Sequence, residues 1–156
     1  MFEYRVESVK DLAIIMDYFD KYPVITQKQA DYLLFNMAIN LMKEKAYLNS
    51  KGLRKLIAIR ASLNWGLPSA LEAAFPNIIP VLRPNVLNCK IKDPNWLAGF
   101  TSAEGSFMIK ILNSSSNRLG FQVLLKFAVI QHSRDEELLK SLVSYLGVWS
   151  IPKKEL

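Results

Sequence analysis

Residues 93–107, Asp-Pro-Asn-Trp-Leu-Ala-Gly-Phe-Thr-Ser-Ala-Glu-Gly-Ser-Phe, restrict the possible folds more than any other part of this 156-residue chain. Asp93 is a good N-cap and Pro94 suits the first helical position, where the missing N–H would have no partner anyway, so a helix begins here. Gly105 stands where such a helix stops. The helix is short and mostly apolar. Ala98 and Ser102, like Gly99 and Ala103, lie four residues apart and share a face small enough for another helix backbone to approach closely. The only charge, Glu104, falls in the last turn, where the negative end of the helix dipole opposes a carboxylate by roughly 0.3–1 kcal/mol. Either Glu104 is a solvated carboxylate closing a buried core helix, or a cation neutralises it. A divalent metal would do so, and phosphodiester hydrolysis is the chemistry that would use one.

Composition bounds the setting. With 51% hydrophobic residues the chain can bury one real core, and its length suits a single domain. An excess of Lys and Arg over Asp and Glu gives a formal charge of +6, which suits a polyanionic partner without requiring one. Cys89 is the single cysteine, which excludes an internal disulfide and fits a reducing compartment. No apolar run reaches the ~18 residues of a membrane span. The opening Met1-Phe2-Glu3-Tyr4-Arg5 carries an acid where a targeting peptide would not, so an organellar protein with this sequence is expected to be made inside the organelle. His132, the only histidine, has no second His or Cys beside it, which argues against a metal site built on it.

In chain order, Glu3 to Glu7 alternates as a short strand. Ser8 and Asp11 cap a helix from about Val9 to Asp20, with Leu12, Ile15, Met16 and Phe19 inward. Thr26 and Gln29 form a second capping box, opening a helix to about Lys45 whose buried stripe is Ala30, Leu33, Leu34, Met37 and Leu41. Asn49 to Gly52 reads as a turn and Leu53 to Leu63 as a third helix. Its cations, with Lys51 just ahead, are either a solvated face or contacts to the phosphates at a duplex edge. Residues 67–92 and the following Pro94 hold five of the seven prolines, too many for a long helix or a central strand. This is a stiff linker with one short capped turn, Ser69 to Phe75.

Beyond the motif helix, Ser106 to Leu112 and Gly120 to Gln131 alternate as two strands joined by the polar turn Asn113 to Arg118, a hairpin. If Phe107, Ile109, Ile111, Val123, Leu125, Phe127 and Val129 pack on helices, the opposite face is free. That face holds Ser106, Met108, Lys110, Leu112, Gln122, Leu124, Lys126, Ala128 and Ile130. It is either an ordinary solvated sheet face or a surface for the DNA major groove, where Lys, Gln and Ser read base edges and apolar groups meet thymine methyls. Its apolar members favour the groove. Ser133 and Glu136 cap a last helix, Arg134 to Leu146, with Leu138, Leu139, Leu142 and Leu146 inward and Gly147 as its stop. A third strand is expected from Val148.

Leu97 to Gly105 resembles the nine-residue signature of the LAGLIDADG homing endonucleases, in the form Leu-Ala-Gly-Phe-Thr-Ser-Ala-Glu-Gly found in two-repeat proteins encoded inside organellar introns. Gly105-Ser106-Phe107, and Gln131-His132 ahead of Arg134-Asp135, also sit where that family has them. The resemblance implies an α+β fold built from pieces of the αββαββα repeat, an antiparallel sheet packed on helices. Residues 1–66 look like the second half of a first repeat, 67–92 like the linker, and 93–156 like the first half of a second repeat. It further implies Mg²⁺-dependent cleavage of double-stranded DNA, with Glu104 as the catalytic, metal-binding acid and Ala98, Gly99, Ser102 and Ala103 as the packing face between two motif helices. DNA contacts are expected from the hairpin residues Ser106, Met108, Lys110, Asn113, Ser115, Asn117, Arg118, Gln122, Leu124, Lys126 and Ala128, joined by Arg5 from an adjacent strand. The organelle implied is the mitochondrion rather than the chloroplast. The family's lysine beside the cleavage site is here Pro152, with Lys153 one position late.

With one candidate acid where the family uses two, a lone monomer should not cut DNA. Three readings follow. The chain is a fragment of such an endonuclease, or two copies dimerise (or a complementing chain docks) through the Gly99 and Ala103 face, or the protein is a maturase that binds group I intron RNA and needs no metal. A non-functional remnant is the bland alternative.

Overall fold

The computed structural model describes residues 2–63, 66–86 and 89–148. The chain divides into two compact units, 1–88 and 89–156, each with its own small core.

The first unit is helical. Ser8 caps the helix Val9–Lys21 (α1) by accepting the Asp11 N–H at 3.5 Å. Met16 is buried, and Leu12, Ile15 and Phe19 are half-buried beside it, the stripe that the spacing predicts. The helix Lys28–Lys43 (α2) starts differently from expectation. Thr26 Oγ1 accepts the Lys28 N–H at 3.1 Å, while Gln29 turns inward and its Oε1 is buried without a protein partner among the described residues. Its buried face is Ala30, Leu34 and Ile39, whereas Leu33 and Met37 are exposed. Of the expected stripe, Ala30 and Leu34 are buried and Leu41 is half-buried, while Leu33 and Met37 lie outside the core and Ile39 joins it.

A 3₁₀ turn, Ala46–Leu48, leads into the helix Ser50–Ser62 (α3). This helix begins three residues ahead of expectation. Asn49 is its cap, accepting the Gly52 N–H at 2.8 Å, and Gly52 lies inside it. Glycine is needed there for room: a Cβ would fall 2.0 Å from the Ala46 carbonyl oxygen. Ile57 and Ile59 complete the core. Tyr32 ties α2 to α1, its hydroxyl donating to the Met16 carbonyl at 3.0 Å and to Asp20. Burial and then that bond to Asp20 push the phenol up to about 12.

The proline-rich segment carries a short helix, Ser69–Ala74 (α4), and then runs extended along the first unit. Val81 N–H donates to the Ala58 carbonyl at 3.2 Å and its own carbonyl accepts from Ser62 Oγ. Arg83 completes the strap, donating to Asp31 Oδ1 at 2.7 Å and to the carbonyls of Ser62 and Gln27, each at 3.2 Å. Burial raises the Asp31 pKa, but the hydrogen bonds and charges of Arg83 and Lys28 outweigh it and hold the carboxyl below the usual value.

Residues Glu3 to Glu7 form no strand ladder with the other described residues. The alternation is present, but a strand needs a partner, and Arg5 instead pairs locally with Glu3 at 2.7 Å and Glu7 at 3.5 Å.

In the second unit the helix Pro94–Glu104 (α5) passes directly into the strand Gly105–Asn113 (β1), which pairs antiparallel with Phe121–Val129 (β2). The turn between them closes through Ser114 N–H to the Gly120 carbonyl and Gly120 N–H to the Asn117 carbonyl, both 2.8 Å, with Gly120 left-handed at φ 75°. A 3₁₀ turn, Ser133–Asp135, then precedes the helix Glu136–Leu146 (α6). The expected cap of this helix is corrected: His132 Nδ1 accepts the Arg134 N–H at 3.2 Å, and the α-helix proper starts at Glu136. Cys89, Ile91, Leu138 and Leu142 are buried, and Ser141 Oγ accepts the Ile91 N–H at 3.1 Å. Burial, then Asp135 and Glu137, push the Cys89 thiol up, so it behaves as a small apolar core group. Leu146, expected inward, is exposed, since Gly147 at φ 66° ends the helix beside it. The expected third strand falls almost wholly outside the described residues, as does Pro152.

The fold is α+β, with helices and a two-stranded antiparallel sheet. One expectation about the sheet fails. Phe107, Ile109, Ile111, Val123, Leu125 and Phe127 are all exposed and Val129 is half-buried, so among the described residues no helix covers most of the face expected to pack.

Candidate nucleic-acid interface

The site grows out of the passage from α5 to β1. Asp93 Oδ1 accepts the Asn95 N–H at 2.9 Å and Pro94 opens the helix. Trp96 and Phe100, one turn apart, stack with centroids 4.8 Å apart. Gly105 ends the helix in an extended conformation, φ −84° and ψ 149°, and not through the left-handed turn glycine usually supplies. The reason for glycine is crowding, since a Cβ would lie 2.5 Å from the Thr101 carbonyl oxygen and 2.7 Å from Thr101 Cγ2. The last helical residue, Glu104, is followed at once by the first strand residue.

Glu104 is exposed. Among the described residues no three His, Cys, Asp or Glu side chains are gathered to hold a metal. What the described residues offer a cation here is one carboxylate beside the carbonyl end of a helix, hard oxygen donors of the kind Mg²⁺ or Ca²⁺ takes, but too few of them. Ala98, Gly99, Ser102 and Ala103 are likewise exposed, and a Cβ on Gly99 would meet nothing within 4 Å. Ser102 Oγ is used within the helix, donating to the Ala98 carbonyl at 2.8 Å.

The β1–β2 register fixes which hairpin residues act together. Ser106 faces Ala128, Met108 faces Lys126, Lys110 faces Leu124 and Leu112 faces Gln122. Pairs alternate between the two faces of a sheet, so these eight residues share one face. Lys110 and Lys126 lie on successive pairs of that face, diagonal to one another. From Gly105 to Gln131 the chain has Lys110, Arg118 and Lys126 and no Asp or Glu, a charge signal that composition alone conceals. Asn113 ends β1. Ser115 and Arg118 stand exposed in the turn, while Asn117 is committed to it, its Nδ2 donating to the Phe121 carbonyl at 3.0 Å. Ser106 is partly committed as well, its Oγ donating to the Ala128 carbonyl at 3.3 Å. Arg5 belongs to the first unit and keeps its local acidic partners.

This helix-to-hairpin arrangement has known counterparts. The chain superposes on a structure of I-SmaMI bound to its uncleaved DNA target in the presence of calcium ions, with a TM-score of 0.93 and 47% identity, over 97% of this chain and 52% of that one. It is 38% identical over 152 residues to the Neurospora crassa protein named "Probable intron-encoded endonuclease 3", a match covering 96% of this chain and 28% of the relative. With the Schizosaccharomyces pombe protein named "Probable intron-encoded endonuclease Cox1-I1b" it shares 33% identity over 126 residues, 77% of this chain and 28% of that one. The chain thus spans under a third of these curated relatives. The LAGLIDADG endonuclease family model matches residues 1–39 and 97–155. With well over half of its residues matched, including the whole passage from motif helix to hairpin, the chain belongs to the LAGLIDADG endonuclease family.

Proposed function

We propose that this chain supplies one half-site of a DNA endonuclease, which binds duplex DNA through the hairpin and contributes Glu104 to hydrolysis of the phosphodiester backbone. The observation that carries the reading is the register. It gathers Ser106, Met108, Lys110, Gln122, Leu124, Lys126 and Ala128 on one face that starts two residues beyond Glu104, with Lys110, Gln122, Leu124 and Lys126 exposed and Ser106, Met108 and Ala128 half-buried. A two-stranded ribbon of this kind fits the major groove. Lys110 and Lys126 offset phosphate charge or donate to guanine edges, Gln122 donates to and accepts from bases, Ser106 accepts from them, and Met108, Leu124 and Ala128 meet thymine methyls. Asn113, Ser115, Asn117 and Arg118 at the turn, with Arg5 from the first unit, are assigned to the sugar-phosphate backbone.

Glu104 is the residue that would hold a divalent cation, Mg²⁺ in this reading; calcium in the related DNA complex supports a hard cation. Such a cation, when bound, supplies polarisation of the phosphate and activation of water. The sparse oxygen set at Glu104 requires a second acid, which would come from a second motif helix against Ala98, Gly99, Ser102 and Ala103, on another copy or a complementing chain. The two blocks matched by the family model support reading residues 1–66 as the end of one repeat, 67–92 as linker and 93–156 as the start of the next. Relatives named as intron-encoded, one with Cox1 in its name, support a mitochondrial setting.

The test is binding of the purified chain to random duplex DNA and to structured intron RNA across a salt series, followed by addition of Mg²⁺. Duplex binding with a log-log salt slope of about −5 is expected, for neutralisation of about six phosphates. Any nicking should vanish in Glu104→Gln while binding persists. A slope near zero, or a clear preference for the RNA, would overturn the proposal.

A further inference from the structure

The groove face of the hairpin carries a pattern that only the register brings out. Moving outward from Glu104, its cross-strand pairs are Ser106 with Ala128, Met108 with Lys126, Lys110 with Leu124 and Leu112 with Gln122. Every pair joins one polar side chain to one apolar side chain. Along this face each strand alternates polar and apolar, and the register sets the two alternations out of phase. The polar member therefore changes strand at each step, from Ser106 on β1 to Lys126 on β2, then Lys110 on β1 and Gln122 on β2.

A base pair has the same two-sided character in the major groove. Its purine presents hydrogen-bonding atoms, N7 with O6 in guanine or N6 in adenine, and its pyrimidine presents the C5 edge, a methyl group in thymine. Resting on the duplex reading above, we infer that each register pair reads one base pair, the polar side chain on the purine and the apolar one on the pyrimidine. The purine then changes DNA strand from one contacted base pair to the next. Residues two apart on a strand are separated by about 6.6 Å, and two base-pair steps of ~3.4 Å by about 6.8 Å. One unread base pair thus falls between neighbouring contacts.

The side chains also decide which purine. Lysine donates and cannot accept, which matches the O6 and N7 acceptors of guanine and is opposed by the N6 donor of adenine. Lys126 and Lys110 therefore select guanines on opposite strands. Taken singly, Met108 and Leu124 suit thymine methyls; set opposite these lysines, they fall on the C5 edge of cytosine, and the methyl contacts pass to Ala128 and Leu112. Gln122 both donates and accepts, which matches N7 and N6 of adenine, with Leu112 on the paired thymine. Ser106 has its proton engaged, Oγ donating to the Ala128 carbonyl at 3.3 Å. It is left to accept from adenine N6, with Ala128 on that adenine's thymine. No Asp or Glu lies between Gly105 and Gln131, so no carboxylate of the hairpin turns the preference towards cytosine N4. Outward from Glu104, one DNA strand reads AnCnGnT, where n is any base. This pattern is its own complement, so the two possible polarities leave two candidate sites, AnCnGnT and TnGnCnA written 5′ to 3′.

The experiment selects duplexes with a randomised window on the purified full chain at low salt and sequences the bound pool. One of the two candidates should be enriched. Preferences of about 5- to 150-fold are expected at the two guanines and at the adenine under Gln122, with a smaller one at the innermost pair and none at the bases between. Gln122→Lys should change the outermost preference from adenine to guanine on the same strand, and Lys126→Gln should change its guanine to adenine. Both side chains are exposed, so neither substitution opens a core. Duplex binding with flat preferences, with both guanines on one strand, or with preferences that ignore the substitutions would overturn the inference and leave the endonuclease proposal standing. Absence of duplex binding would overturn both.

Discussion

Gly99 inside α5 and Gly105 just past its end should respond to the same substitution in opposite directions. In Gly105→Ala the new Cβ would sit 2.5 Å from the Thr101 carbonyl oxygen, 2.7 Å from Thr101 Cγ2 and 3.2 Å from the Thr101 carbonyl carbon. Carbon and oxygen ordinarily approach to about 3.3 Å, so the overlap is about 0.8 Å. The obstruction is backbone, and the same carbonyl accepts the Gly105 N–H, so relief means opening the last turn of α5 or displacing the start of β1. Overpacking of this order costs ~1–3 kcal/mol, a fall in Tm of about 3–10 °C for a chain of this size. Gly99→Ala meets nothing within 4 Å, and an alanine in an exposed helix interior gains about 0.5–1 kcal/mol over glycine. Thermal and urea unfolding followed by circular dichroism should therefore separate the two variants by about 1.5–4 kcal/mol. Adding Thr101→Ser to Gly105→Ala removes the methyl contact but not the carbonyl, and should restore only a minor part. If Gly105→Ala unfolds at or above the Tm of Gly99→Ala, the junction is not packed as described and the argument for Gly105 fails.

Arg83→Met should cost ~1–3 kcal/mol by leaving the largely buried Asp31 carboxylate without its guanidinium. Since the native pairing holds the Asp31 pKa below 3.8, that stabilisation is present above this value and is lost as pH falls through the depressed one. The difference between wild type and variant, read by urea unfolding, should accordingly shrink in acid. Tyr32→Phe should lose about 1 kcal/mol. With the phenol raised from 10.0 to about 12, its contribution is complete below pH 10 and fades through pH 12, and in an ultraviolet titration one tyrosine of the six should ionise late.

What the sequence disclosed were the elements whose causes are local. The Ser8 and Asp93 caps, the Leu12–Phe19 stripe and the strand alternation around a polar turn each act within a few residues, and α1, α5 and the hairpin lie where those signals put them. Gly52 misled because a glycine that breaks a helix and a glycine that lets one pack against Ala46 look identical in one dimension. The Arg83 strap was invisible for a similar reason: its partner, Asp31, is 52 residues away. Alternation along β1 and β2 says which side chains share a face, and nothing about whether anything covers it. For the site, the motif pointed to Glu104 and the alternation to the lysines, whereas the diagonal placing of Lys110 and Lys126 required the register.

The direct passage from Glu104 into Gly105 also restricts how sequences of this kind can change length. A connecting loop would absorb an inserted or deleted residue; here none intervenes. One residue gained or lost between Glu104 and Ser106 would turn β1 over relative to α5, sending Phe107, Ile109 and Ile111 to the side now held by Met108 and Lys110. Substitutions along the hairpin can re-tune what it contacts one position at a time, but an indel at the junction would exchange its two surfaces at a stroke. Length variation in descendants of this sequence should therefore collect in the turn at residues 114–120 and be missing from the junction.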